Sequence, residues 1–515
     1  MKKLLIISFL CLLQAYHTQA QVQAQTQAQK ETDAFDRAVK KINKEWKGYN
    51  NTSKAERDVI FSKIDSLNLS YSPFDYPSND FKNPLLSIPQ EVKDCKNLKH
   101  LNLLGNPDID WKSLQGIKAP SIYVTIKNLN EIAPIYWKQI TGIKVSEQAL
   151  QVIPDNIIQQ KQLSYLSLRF NDFAALPTSI LELKNLKELS LEGNKFATLL
   201  PSIGELKNLE ILNLVGNQLT SLPESIGELK NLKELYLCNN QFATLSASIG
   251  KLKNLKKLSL IGNQFTTLPA SILKLKNLKG LSLGYNQFSG LPASMGELKN
   301  LKELDLRKNE FTTLPASILT LKKLEKLYLT ENKLATLSAS IGELKNLQTL
   351  DLTGNPLTSL PASIGELKKL QLLNLGVDML TSLPASIVEL KNLKELSLGA
   401  SKFTTFPISI LELKYLKYLN LQINQITTLP ASIGELTKLE TLTLDNNQIT
   451  VLPASIGELK KLKYLNLNGN KLTTLPASIG ELKNLQLLAL HENLISKEEI
   501  DKIKKLLPNC DIGYD

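Results

Sequence analysis

Apolar residues recur along this chain with one fixed spacing. The clearest copy is Leu452–Thr474, L-P-A-S-I-G-E-L-K-K-L-K-Y-L-N-L-N-G-N-K-L-T-T. Its Leu-x-Leu pair alternates apolar and polar, which predicts a short strand with leucines on one face and polar residues on the other. The first leucine of that pair falls at Leu166, Leu189, Leu212, Leu235, Leu258, Leu281, Leu304, Leu327, Leu350, Leu373, Leu396, Leu419, Leu442, Leu465 and Leu488, fifteen units with every step 23 residues. The other half of the unit opens on Leu-Pro and continues Ala-Ser-Ile-Gly-Glu-Leu. Ser and Glu three apart, as in Ser363 with Glu366 and Ser455 with Glu458, form a capping-box pattern. Gly follows at once and the next strand begins within eight residues, so the pattern predicts a single turn or 3-10 piece rather than a long helix. A constant period in the twenties is the mark of a solenoid, whose units bury their apolar side only against their neighbours.

The spacing L-x-x-L-x-L-x-x-N-x-L/F-x-x-L-P resembles the leucine-rich repeat family over about 64–495. The resemblance implies an α/β solenoid: a horseshoe or arc with a parallel concave β-sheet, short turns on the convex side and helical caps at both ends. It also implies that the Asn of each unit turns inward and hydrogen-bonds the backbone of adjacent turns. That Asn stands in thirteen of the fifteen units, from Asn171 to Asn493, and Asp378 and Ser401 replace it in two consecutive units. The expectation there is a locally weaker ladder. Within the family, the L-P-x-x-I-x-x-L-x-x-L form is similar to Ras-group-related scaffolds and to many bacterial repeat proteins. That similarity implies protein recognition on the concave face.

The pattern changes toward both ends. Residues 1–20 read as a signal peptide, with Lys2 and Lys3 ahead of the apolar run Leu4–Leu13 and a small-x-small site at Thr18-Gln19-Ala20. Ten apolar residues are too few to span a bilayer, and no transmembrane segment is expected in the mature chain. Residues 21–30 form a Gln-rich linker. Residues 31–63 read as a helical N-terminal cap, with Phe35, Val39, Ile42 and Trp46 on one face. Degenerate repeats occupy 64–165, where Leu67, Leu101, Leu103, Val124, Ile126, Ile143 and Val145 keep the strand spacing. Regular repeats run through 166–495. A C-terminal cap at 496–515 starts at Ser496-x-x-Glu499, places Ile500, Ile503 and Leu507 on one face and stops at Pro508.

Composition narrows the function. The formal net charge is +12 over 515 residues, but Lys recurs in nearly every unit interleaved with Glu. A spread charge of that kind is a solvated face rather than a basic stripe, which argues against nucleic acid. The three histidines, His17, His100 and His491, are far apart, which argues against His catalysis and His-bound metal. The four cysteines, Cys11, Cys95, Cys238 and Cys510, make no disulfide framework. No phosphate loop or nucleophile elbow is present. Asp305 and Asp351 lie two units apart in one column, but an open sheet excludes water poorly for glycoside chemistry. The reading is non-enzymatic, with no cofactor and no metal.

Specificity belongs to the positions that do not repeat. These are the outward residues flanking the strand leucines. The columns through Tyr236, Cys238, Ile261, Tyr285, Asp305, Arg307, Lys308 and Tyr328 gather tyrosine, mixed charge and an apolar residue, the types that dominate binding hot spots. Cys238 is expected as an exposed thiol. A second set is Tyr418, Tyr464 and His491. Three readings of function stay open. The first is an exported scaffold, periplasmic, cell-surface or secreted, that binds a protein partner. The second is an envelope protein that binds surface glycan. The third is an intracellular, cytoplasmic signalling scaffold, if the leader is not cleaved.

Overall fold

A computed structural model describes residues 66–68, 97–103, 111–117, 119–126, 139–145 and 155–515. The leader, the Gln-rich linker and the expected N-terminal cap lie outside the described residues. The chain divides into two compact units, Met1–Ser146 and Glu147–Asp515.

In the first unit four parallel strands are described: β1 (Ser66–Asn68), β2 (His100–Leu103), β3 (Ser121–Ile126) and β4 (Ile140–Val145). The apolar positions read from the sequence meet across them: Leu67 opposite Leu101, Leu103 opposite Val124, and Val124 opposite Ile143. The register shifts at Ile122/Tyr123, where the repeat spacing is irregular.

The second unit opens on α1 (Asp155–Ile158) and then repeats strictly. Its fifteen strands run from β5 (Tyr165–Ser167) to β19 (Leu487–Ala489), each three residues long and parallel to its neighbours. Every strand leucine faces the next one, Leu166 opposite Leu189 and so on to Leu465 opposite Leu488. The leucines are fully buried, as are Phe173, Phe196, Phe242, Phe265, Phe288, Phe311 and Phe403 behind the turn after the strand. Each such side chain contributes roughly 1.5–3 kcal/mol of burial, so the core is a continuous stack of small identical layers.

The inward asparagines tie these layers together. Asn263 shows the pattern: its Nδ2 donates to Leu260 O at 3.0 Å and Leu237 O at 3.0 Å, and its Oδ1 accepts from Phe242 N at 3.0 Å. One amide therefore serves its own turn and the one before, which satisfies backbone groups that the tight turn buries. At Asp378 the ladder changes. Its Oδ1 accepts from Asn355 N at 2.8 Å, while its Oδ2 is buried without a partner. The Ser401 hydroxyl is likewise buried and unpaired.

The far side of the repeat is a row of short 3-10 turns, such as Ala362–Glu366 and Ala454–Glu458. The capping box expected there does not form. Extended Pro361 stands at the N-cap and the turn starts at Ala362, so Ser363 falls inside the turn, and its hydroxyl is buried without a partner. Where Ser replaces the proline, that Ser is the cap: Ser246 accepts from Ser248 N at 3.1 Å and Ser338 from Ser340 N at 3.2 Å. Along this side Lys and Glu of successive repeats pair, as in Lys184–Glu205 at 2.7 Å and Lys368–Glu389 at 2.7 Å. The even spread of charge is thus an exposed ion-pair ladder.

The C-terminal cap follows its pattern. Ser496 caps α2 (Lys497–Leu506) by accepting from Glu499 N at 3.3 Å, and Ile500, Ile503 and Leu507 are buried. Then β20 (Asp511–Gly513) pairs with β19, with Ile512 opposite Leu488. Among the described residues no helix is long and apolar enough to cross a membrane.

Candidate partner-binding face

Each repeat presents its outward residues from the strand and from the turn that follows. The turn holds one residue at positive φ in every regular repeat, including Tyr285 (55°), Lys308 (48°) and Glu331 (53°). That conformation lifts its side chain off the strand face onto the sheet rim.

The central columns assemble a compact cluster. Tyr285 is 45% exposed, and the Lys308 Nζ lies 4.8 Å from its ring centroid. Lys308 also pairs with Glu331 of the next repeat at 3.3 Å. A cation seated on an aromatic face is held by the ring quadrupole, so ring and ammonium form one surface feature. Beside it, Arg307 Nε donates to Asp305 Oδ1 at 2.9 Å, and its guanidinium carbon lies 5.3 Å from the Tyr328 ring centroid. Asp305 is only 3% exposed. Burial raises its carboxyl pKa, and the Arg307 charge and hydrogen bonds oppose the rise.

Two expected contact residues are corrected by this geometry. Tyr328 is 4% exposed. It stands in register between Asp305 and Asp351 and lies under Arg307, and its hydroxyl is buried without a partner. Burial raises the pKa of that phenol strongly. Cys238 is half-buried rather than an exposed thiol, with its Sγ 2.9 Å from Ser259 Oγ, and burial raises its pKa. Tyr236 is half-buried and donates its hydroxyl to Glu234. Ile261 is half-buried in the column beside them. The one exposed member is therefore Tyr285, with the half-buried Lys308 seated on its ring and the half-buried Arg307 beside them.

The remaining candidates differ in exposure and bonding. Asp351 accepts from Thr353 N at 3.1 Å and from Asn374 Nδ2 at 3.2 Å, so it braces its own turn and the next strand. Tyr418 is half-buried, Tyr464 is exposed, and His491 Nδ1 lies 3.2 Å from Asp515 Oδ1 at the C-terminal end. Among the described residues no three His, Cys, Asp or Glu side chains converge as metal ligands.

A model of the leucine-rich repeat region matches residues 144–260, 327–407 and 408–507, and a second leucine-rich repeat model matches 253–311 and 276–334. The chain belongs to the leucine-rich repeat family. Among solved structures it is similar to a leucine-rich repeat protein of Leptospira interrogans, at 43% identity and a TM-score of 0.71, covering 75% of this chain and 99% of that one. A TDR receptor matches at 28% identity and a TM-score of 0.56, covering 85% and 69%. The Toll–Spätzle complex of Drosophila matches at 21% identity and a TM-score of 0.57, covering 78% and 58%, a likeness of fold alone. No curated protein matches the chain. Leucine-rich repeat proteins act in general as protein-interaction scaffolds.

Sequence reasoning missed the rim. Val377, Met379 and Ile423 are exposed there at 49%, 44% and 42%. The signal was available: Val377 and Ile423 occupy the position that holds Gly193, Gly216, Gly262, Gly354 and Gly469 in other repeats.

Proposed function

We propose that this leucine-rich repeat chain is an exported, non-enzymatic scaffold that binds a protein partner through the outward face of its sheet. The observation that carries the reading is the Tyr285–Lys308–Arg307 cluster, an exposed aromatic ring with one cation seated on it and a second beside it. Tyr and Arg anchors of this kind dominate protein interfaces. The likeness to a receptor at 28% identity supports a recognition role. The charged leader layout of Lys2, Lys3 and Leu4–Leu13 supports export. The positive charge is spread and interleaved with Glu along the repeats, as in Lys184–Glu205 and Lys368–Glu389, rather than gathered in a basic stripe, which argues against nucleic acid.

The test uses Tyr285→Ala/Lys308→Ala, because the exposed ring and the ammonium seated on it form one surface feature. Arg307→Ala and Tyr328→Ala are poor probes, since the first strands the buried Asp305 and the second opens a cavity. Affinity capture with the natural chain should retain a defined protein partner that the double variant releases. Equal retention by both proteins would move the site elsewhere. Binding of the natural chain only to a polysaccharide array would favour the envelope glycan reading. Sequencing the N-terminus of the native protein decides export: a mature start near Gln21 supports it, and a start at Met1 supports the intracellular reading.

A further inference from the structure

The interleaving of Lys and Glu lapses in one place. Between Glu234 and Glu297 the chain carries no Asp or Glu, and its charged residues are Lys251, Lys253, Lys256, Lys257, Lys274, Lys276 and Lys279. Seven lysines against no acid give this stretch a formal charge of +7. All seven are exposed.

Two columns show what has been exchanged. On the 3-10 turns, Lys of one repeat pairs with Glu of the next, as in Lys207–Glu228 at 3.7 Å and Lys276–Glu297 at 2.5 Å. Between those pairs the Glu position is held by Lys251 and then by Lys274, so Lys230 and Lys253 stand opposite lysines. Lys230 reaches back to Glu228 at 3.9 Å, and Lys253 Nζ donates to Lys274 O at 3.1 Å. In the column just before the strands, Lys233 pairs with Glu210 at 2.5 Å and Lys302 with Glu325 at 2.6 Å. Lys256 and Lys279, between them in that column, pair with no carboxylate among the described residues. Lys251, Lys253, Lys256, Lys274 and Lys279 thus gather unpaired on the edge where the chain passes from turn to strand.

Folding gains nothing from this exchange. Like charges on adjacent turns repel, whereas the Lys–Glu pairs of the other turns attract, if weakly. An anion bound on the edge converts that repulsion into attraction, and a patch of one sign draws such a ligand in.

We infer that this edge docks a short acidic segment of the protein partner. The inference rests on the protein-binding reading and gives that partner a chemistry. The sign of the charge requires an anion. The borders limit its length: Glu224, Glu228 and Glu234 stand on one side of the patch and Glu297 and Glu303 on the other, so they repel a long polyanion lying along the array. Two strand steps span about 10 Å, room for about three extended residues. The cations are all lysines, point charges without the planar fork that arginine offers a phosphate. No exposed aromatic ring stands among them for a base or a sugar to stack on. The amide N–H groups of Asn254 and Asn277 are spent within the protein, on Lys230 O at 2.8 Å and Lys253 O at 2.9 Å. Lys279 and Tyr285 flank the strand Gly280–Ser282, roughly 20 Å apart along an extended chain, so the patch and the Tyr285–Lys308 feature are separate contacts on opposite edges of the sheet.

The test is fluorescence anisotropy of a labelled hexa-aspartate peptide with the full-length protein at low salt. The peptide should bind the natural chain, and Lys251→Glu/Lys274→Glu should weaken it about tenfold or more. That variant installs the glutamate of the neighbouring turns opposite Lys230 and Lys253, so it should melt at or above the temperature of the natural chain, which separates lost contact from lost fold. Lys184→Glu/Lys368→Glu changes the net charge equally and should bind the peptide like the natural chain, as should Tyr285→Ala/Lys308→Ala. Equal weakening by the two charge reversals shows attraction to net charge alone and overturns the inference. Binding that Lys251→Glu/Lys274→Glu leaves intact overturns it too, as does binding of heparin or a DNA oligonucleotide without binding of the peptide. If a captured protein partner is released by Tyr285→Ala/Lys308→Ala and fully retained by Lys251→Glu/Lys274→Glu, the acidic-segment inference fails while the scaffold reading stands. If the natural chain holds a polysaccharide and no protein, both fail.

Discussion

Asp378 carries a pH-dependent consequence for stability. It stands where an amide would donate to two carbonyls, and a carboxylate has nothing to donate. Burial drives its carboxyl pKa up to about 8, the Asn355 N–H pulls against the rise and the Asp351 charge adds to it. An unfolded aspartate releases its proton near pH 4. Between that value and about 8 the folded chain keeps a proton that the unfolded chain has lost, so stability falls as pH rises through this window. Asp378→Asn should raise stability by about 4 kcal/mol at pH 7, from roughly three pH units of that penalty at about 1.4 kcal/mol each. The gain should shrink to about the worth of the restored hydrogen bonds, ~1 kcal/mol, at pH 4. Urea melts of both proteins at the two pH values check this, and a gain independent of pH would show that Asp378 is not held protonated. That position 378 departs from the ladder is visible in the sequence. That its second oxygen is sealed from water is not, because the seal is made by neighbouring repeats.

The element most sensitive to a single methyl group is the 3-10 turn. In Ala362–Glu366 a Cβ on Gly365 would stand 2.3 Å from Ser386 O of the next turn, a clash with backbone that cannot swing away. Gly365→Ala should cost about 1–3 kcal/mol through overpacking. Gly290 is a matched control, since a Cβ there meets no atom within 4 Å. Gly290→Ala should leave stability within about 1 kcal/mol of the natural chain or raise it. Thermal melts of the pair test whether turn stacking, rather than glycine content, sets the limit. The turn also shows where local sequence reasoning misled. Ser363 and Glu366 have capping-box spacing, but proline fixes the chain entry at Pro361 and leaves the serine two positions inward of the cap. At Ser496 no proline intervenes, and the same motif does cap α2.

At the scale of the whole molecule, stability is a sum over neighbours, so damage should stay local. Asn263→Ala removes the bonds to Leu237 O, Leu260 O and Phe242 N at once. The expected loss is about 2–4 kcal/mol, from buried backbone groups left unpaired. Amide exchange should accelerate between about Leu235 and Leu281 and stay slow near Leu442–Leu488, and uniform acceleration would contradict a nearest-neighbour solenoid. The Lys–Glu ladder should matter far less, because its members are exposed and such pairs are worth little.

Period, strand positions, leucine core, inward asparagines and the C-terminal cap were all legible in the sequence. In a solenoid each residue's neighbours lie one period away, so a one-dimensional pattern already specifies the packing. Exposure of the outward residues was not legible. Tyr285 and Tyr328 are both outward tyrosines two repeats apart, yet one is open and one is sealed. Positive φ carries Tyr285 onto the rim, while Arg307 covers Tyr328 and aspartates flank it in register. Only the tertiary structure decides between them, because side chains of adjacent repeats, not the residue's own type, determine what water and a partner can reach.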